Sequence, residues 1–141
     1  LLWDHIDFGD ITTYNSFNEL SYKAVKPEDF IRIYPGERVL VPTGLILDIP
    51  QGYSVRIHPR SGLSLKRGLI LANCEGVIDS DYVDPLFVML TNMSRKPEEV
   101  YCGERIAQLE LVEHILTQIY EAEVRPEQKT NREGGFGSTG N

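Results

Sequence analysis

LILANCEGVIDSDY, residues 69–82, is the stretch from which the rest of the chain can be read. Two short apolar runs, 69–72 and 77–78, flank Asn73-Cys74-Glu75-Gly76. Aliphatic and β-branched residues on either side of an Asn…Gly turn predict a β-hairpin. Two carboxylates, Asp79 and Asp81, follow at once, and then an aromatic ring, Tyr82. A hairpin of this kind gathers backbone donors and acceptors, one amide side chain, a carboxylate and a ring in a small volume. That inventory can read a flat polar ligand edge-on and hold a water beside it. Taken alone, the same residues also read as a solvated turn.

Working outward, short strands separated by turn residues recur along the whole chain. Residues 30–34 (FIRIY) alternate apolar and polar and end at Pro35-Gly36, and 53–58 (YSVRIH) alternate again. The apolar runs 39–41 and 45–49 are divided by Pro42-Thr43-Gly44 and closed by Pro50-Gln51-Gly52. Residues 86–90, 100–112 (interrupted at Cys102-Gly103) and 118–124 (QIYEAEV) read as further strands, and 61–66 as a single helical turn. Residues 1–17 form an irregular lead-in with room for one strand. Many short strands with turns every eight to twelve residues predict an all-β sandwich or barrel. From Pro126 onward the sequence turns polar and glycine-rich, and such a segment needs a partner or ligand to become ordered.

Composition narrows the function. At 141 residues the chain makes one domain with a single core. Its net charge of −7 argues against nonspecific binding to nucleic acid or anionic membranes, and any phosphate site must rely on local donors. No apolar run approaches the ~20 residues of a membrane span, and no signal-peptide pattern is read. Two cysteines, Cys74 and Cys102, make no disulfide framework, so reduced thiols in a cytoplasmic protein are expected.

Chemistry-bearing residues cluster around the opening stretch. Arg60-Ser61-Gly62 follows a strand and precedes the helical turn. Its glycine permits close backbone approach, and its amides, hydroxyl and guanidinium are donors for an anion. Asp79 and Asp81 are both candidates for a general base, and alternation along an extended segment puts them on one face.

The motifs PRSGLSLKRG (59–68), NCEGVIDSDY (73–82), GERIAQL (103–109) and GGFGSTG (134–140), with PGERVLVPTG (35–44) before them, resemble the homotrimeric dUTPases (dUTP diphosphatases). The resemblance implies a single-domain dUTPase-like β-barrel or jelly roll over residues 1–125, with at most one short helix. A flexible glycine-rich arm over 126–141 is implied to close the site. The implied activity is hydrolysis of dUTP to dUMP and pyrophosphate with Mg²⁺ on the triphosphate. By the same resemblance, Asp79 activates the attacking water, and Arg60, Ser61, Gly62 and Gln108 hold the phosphates. Asn73 and the backbone of Val77, Ile78 and Asp79 read uracil, and Tyr82 packs under the deoxyribose. From the arm, Phe136 stacks on the base while Arg132, Gly137, Ser138 and Thr139 cap the terminal phosphate.

The sequence departs from the family pattern in three places. The Asp of the usual A-G-x-D-L motif, which orients waters around Mg²⁺, falls on Ala24, with Gly9-Asp10-Ile11 as the alternative source; the metal ligands are therefore left unassigned. In the arm the arginine is displaced by one position, to Arg132. After Tyr82 the usual R/K/Q-G pair is Val83-Asp84. Two other functions compete. A related dCTP deaminase needs a Glu where Met89 stands and lacks the arm, and a noncatalytic nucleotide-binding role is suggested by the Ala24 departure.

Overall fold

The structure is a computed structural model that describes residues 10–24 and 30–131. Alternating burial drives its strands. In β1 (Asp10–Tyr14), paired in a hairpin with β2 (Leu20–Ala24), Ile11 and Thr13 point inward. The same period gives β3 (Phe30–Ile33) and β4 (Arg38–Pro42), which bury Ile31, Ile33, Val39 and Val41. β5 (Tyr53–Pro59) runs directly into α1 (Ser61–Arg67), followed by β6 (Leu69–Leu71) and β7 (Gly76–Asp79). β8 (Phe87–Asn92), β9 (Glu98–Tyr101) and β10 (Ala107–Glu113) complete the order.

The strands assemble into three ladders: β2-β1-β4-β8-β6, β10-β5-β7 and β3-β9. All pairings between them are antiparallel. The architecture is all-β with one short helix, as expected, but the ladders do not close into a barrel. Ile33, Leu69, Leu90, Val39 and Val41, all nearly fully buried, meet between the sheets, and burial of such a side chain stabilises by ~1.5–3 kcal/mol. Asn92 is buried with them and stitches β8 to its surroundings. Its amide donates to the Ile33 and Lys96 carbonyls, each at 2.8 Å, and its Oδ1 accepts from the Ser94 N–H.

Three local expectations are corrected. Residues 69–82 are not a hairpin, because β6 pairs with β8 and β7 with β5. The turn between them is an arch from one sheet to another. Gly76 permits the second half of this arch: a Cβ there would stand 3.0 Å from the Ile57 Cβ. Residues 45–49 form no strand; Gly44 at φ +74° and Pro50 bound them, leaving the Leu45 carbonyl to accept the Leu86 N–H at 2.8 Å. Residues 118–124 form none either, since an extended segment needs a ladder partner and nothing described pairs with it; Ile119 is 95% exposed. β2 has no counterpart among the strands expected from sequence.

Candidate active site

The candidate residues fall into two groups along the β10-β5-β7 sheet, with Asp79 at the end of β7 that lies away from the β5–α1 junction. The first lies where β5 passes into α1. Arg60 precedes the helix in an extended conformation (φ −98°, ψ 126°), and its carbonyl accepts the Leu63 and Ser64 N–H groups. The Ser61 and Gly62 amides belong to the first turn, which has no partner within a helix. A Cβ on Gly62 would meet nothing within 4 Å, so a ligand can approach closely. Gln108 on β10 donates from Nε2 to the Pro59 carbonyl at 3.0 Å, and the Arg60 guanidinium donates to the Arg105 carbonyl at 3.0 Å. These contacts tie β10 to the loop. Arg60, Ser61, Gly62 and Gln108 share one open cavity of about 410 Å³.

Lys66, Arg67 and Arg105 also line this cavity, with Glu104 as its carboxylate. A chain of net charge −7 thus concentrates basic side chains around this cavity. Arg67 is already engaged. Its Nε donates to Glu98 at 2.7 Å, and its terminal nitrogens donate to the Glu104 carboxylate and the Glu99 carbonyl. Arg67 holds the Glu98 carboxyl below the usual carboxylate range, chiefly through that hydrogen bond. The sequence reading passed over Lys66 and Arg105. The available signals were the position of Arg105 three residues before Gln108 and of Lys66 five after Ser61.

The second group lies on the arch and β7. Asn73 and Cys74 are exposed in the turn, with Cys74 at φ +63° and the Asn73 carbonyl accepting the Glu75 N–H at 2.7 Å. Both cysteines are free and exposed. Val77 is exposed on the outer edge of β7, while Ile78 turns into the core. Asp79 ends the strand, exposed, and its carbonyl accepts the Tyr82 N–H at 3.1 Å. That bond closes a turn, so Asp81 lies in the turn and not on the extended face shared with Asp79. Tyr82 is held by its hydroxyl, which donates to the Pro85 carbonyl at 2.9 Å.

Asp79 and the β5–α1 loop do not converge within one chain. Gln108 pairs with His58 and Asp79 with Ser54. They are two strands apart and four residues apart along β5, roughly 16 Å at ~3.3 Å per residue and ~4.8 Å per strand. No residue of 73–82 lines the basic cavity. Asp10 and Ala24, the two positions considered for the metal, face each other in the β1–β2 register. Arg132, Phe136, Gly137, Ser138 and Thr139 lie outside the described residues.

Ser54 was missed by the sequence reading. It is the register partner of Asp79, is 0% exposed, and its Oγ has no hydrogen-bond partner among the described residues.

The dUTPase family profile matches residues 11–140. A deoxyuridine 5'-triphosphate nucleotidohydrolase of Finegoldia magna is 43% identical over 113 residues, covering 80% of this chain and 78% of that one. Among solved structures, a variant of the Staphylococcus bacteriophage 80alpha dUTPase with dUpNHpp aligns with a TM-score of 0.65 at 25% identity. It covers 79% of this chain and 81% of that one. A dUTPase from phage phi11 of S. aureus, described with the coordination of a structural Mg(II) ion, aligns with a TM-score of 0.59 at 21% identity. It covers 67% of this chain and 78% of that one. With the profile spanning the basic loop, the arch and β10 together, and a close relative covering four-fifths of its length, the chain belongs to the dUTPase family.

Proposed function

We propose that the chain hydrolyses dUTP to dUMP and pyrophosphate, with Asp79 as the general base. The Asp79 carboxylate takes a proton from a water whose oxygen attacks the α-phosphorus. The bond from the α-phosphorus to the bridging oxygen breaks, and pyrophosphate leaves with that oxygen. A positioned base is required because neutral water is a poor nucleophile. The observation that carries this reading is the pairing of an exposed carboxylate at the end of β7 with a basic, glycine-opened loop at the other end of the same sheet.

Base selection follows from hydrogen-bond arithmetic. The backbone of Val77–Asp79 and the Asn73 amide offer a fixed edge to uracil's two carbonyls and N3–H. Cytosine presents an amino group where uracil has O4 and would leave polar groups unpaired, which discriminates strongly. Tyr82, anchored on Pro85, is positioned to pack against a sugar that lacks a 2′-hydroxyl. Arg60, Ser61, Gly62 and Gln108 take the phosphates, and Lys66 and Arg105 add charge around them. Arg132, Phe136, Gly137, Ser138 and Thr139 are proposed to cover base and terminal phosphate once substrate is bound, excluding bulk water.

The described residues hold no group of three or more His, Cys, Asp or Glu side chains suited to a metal cage. A hard cation that keeps several waters and sits mainly on phosphates needs no such cage, and the Mg²⁺ proposed here arrives on the triphosphate. When bound, Mg²⁺ neutralises charge on the phosphate oxygens. The separation of Asp79 from the β5–α1 loop supports a site shared between subunits, and the assembly proposed is a homotrimer. No helix among the described residues is long and apolar enough to cross a membrane, and a cytoplasmic location is proposed.

Pyrophosphate release from dUTP, dCTP, dTTP and UTP tests the reading, with Asp79→Asn alongside. The amide keeps the volume of the carboxylate but cannot accept the proton. Turnover of dUTP alone, abolished by Asp79→Asn with dUTP still bound, is expected. Turnover of dCTP in place of dUTP, or a fully active Asp79→Asn enzyme, would overturn it.

A further inference from the structure

We infer that Ser54 is a positioning residue for Asp79. The inference rests on the proposed role of Asp79 as base. Asp79 is the last residue of an edge strand, with its side chain exposed, so β7 itself leaves the carboxylate free to swing. A base must instead point one oxygen at its water.

Ser54 lies directly beside it. On the central strand β5, Ser54 pairs with Asp79 on one side and with Val112 on the other. Side chains of register partners share one face of a sheet, with Cβ atoms ~4.5–5.5 Å apart, within reach of a hydroxyl-to-carboxylate hydrogen bond. Val112 has no polar atom to offer the hydroxyl. The next row along the sheet holds Arg56 and Val77, and Arg56 is drawn the other way, its Nε 3.8 Å from a Glu75 carboxylate oxygen.

The Ser54 hydroxyl is fully buried on the face opposite the core residues Val55 and Ile57, and it has no partner among the described residues. A buried hydroxyl without a partner contributes nothing to the fold and costs desolvation, so it marks a donor held for something else. In the inferred arrangement the Ser54 O–H donates to one Asp79 oxygen and leaves the other for the water. The donated hydrogen bond then fixes the carboxylate, much as a third group orients the base in other hydrolytic sites.

The test compares Ser54→Ala, Ser54→Thr and Asp79→Asn with wild type in dUTP turnover and thermal melting. A hydrogen bond to a charged group is strong enough that its loss should lower kcat for Ser54→Ala about tenfold or more, with KM changed less than about twofold. The melting temperature should hold or rise, because an unpartnered buried group is removed. Ser54→Thr keeps the hydroxyl on a strand-favouring side chain and should restore kcat to within about threefold of wild type. Wild-type kcat in Ser54→Ala overturns the inference. So does a loss accompanied by a lowered melting temperature, or a Ser54→Thr enzyme as slow as Ser54→Ala. An active Asp79→Asn enzyme would remove the base assignment itself. An inactive Asp79→Asn beside a normal Ser54→Ala would sink only the role of Ser54.

Discussion

Arg67→Ala should destabilise the fold through a single buried carboxylate. Glu98 is only 8% exposed and receives the Arg67 Nε at 2.7 Å, while Arg67 also binds Glu104 and the Glu99 carbonyl. Breaking a buried ion pair by removing one partner costs ~3–5 kcal/mol, because the other charge is left unpaired. Two features reduce that figure here. Arg67 is itself 26% exposed, and Lys96 remains with its Nζ 3.5 Å from Glu98. A loss of ~2–3 kcal/mol follows, and for a chain of this size it lowers the melting temperature by about 10 °C. Acidity provides the control. The Glu98 carboxyl titrates below its ordinary 4.5, so the stabilisation is fully present above that pH and disappears as pH falls through the lowered value. Melting curves at neutral pH and well below pH 4.5 should show a wide gap between wild type and Arg67→Ala that closes in acid. A gap under about 2 °C at pH 7, or one unchanged in acid, would refute the reasoning.

Gly76→Ala places a methyl 3.0 Å from the Ile57 Cβ and should push β7 off β5 at a cost of ~1–3 kcal/mol, read by melting, with dUTP turnover falling as Asp79 shifts. Turnover should vanish in EDTA and survive Asp10→Ala; activity without Mg²⁺ would remove the metal from the mechanism, and collapse of Asp10→Ala would make Asp10 its ligand. Ala24→Asp should tighten the Mg²⁺ dependence if the β1–β2 register follows the family path. Removal of residues 134–141 should leave the melting temperature nearly unchanged while kcat drops sharply, and a large fall in melting temperature would make the tail structural.

Much of this architecture was legible because a two-residue period is local. Ile31 and Ile33, and Val55 and Ile57, announce their strands by alternation. The basic loop was legible for the same reason: Arg60-Ser61-Gly62 sits at a strand-to-helix junction visible in the sequence. What could not be read locally was the choice of partner. Residues 69–82 look alike as a hairpin or as an arch, and the outcome depends on β8 and β5, which claim β6 and β7 separately. Residues 118–124 alternate perfectly well, yet alternation supplies no neighbour. Asp79 and Asp81 were inseparable by period until the Tyr82 N–H closed a turn between them. Ser54 was invisible because alternation puts it on the polar face of β5, where nothing in the sequence announces that it is covered.

The central place of β5 also governs the order in which the molecule can be made. In its register Tyr53 meets Glu113, sixty residues further on, and in the β3–β9 ladder Phe30 meets Tyr101. Closing such long loops is the slow part of assembling a β protein, so the nascent chain must carry β3 and β5 with open edges until β9 and β10 have been synthesised. The basic loop cannot set before then, since Gln108 and the Arg105 carbonyl, which brace it, arrive with the last strand. A chain that stalls before residue 107 therefore exposes adhesive strand edges and has no phosphate cradle, which couples the appearance of catalytic capacity to the completion of the fold.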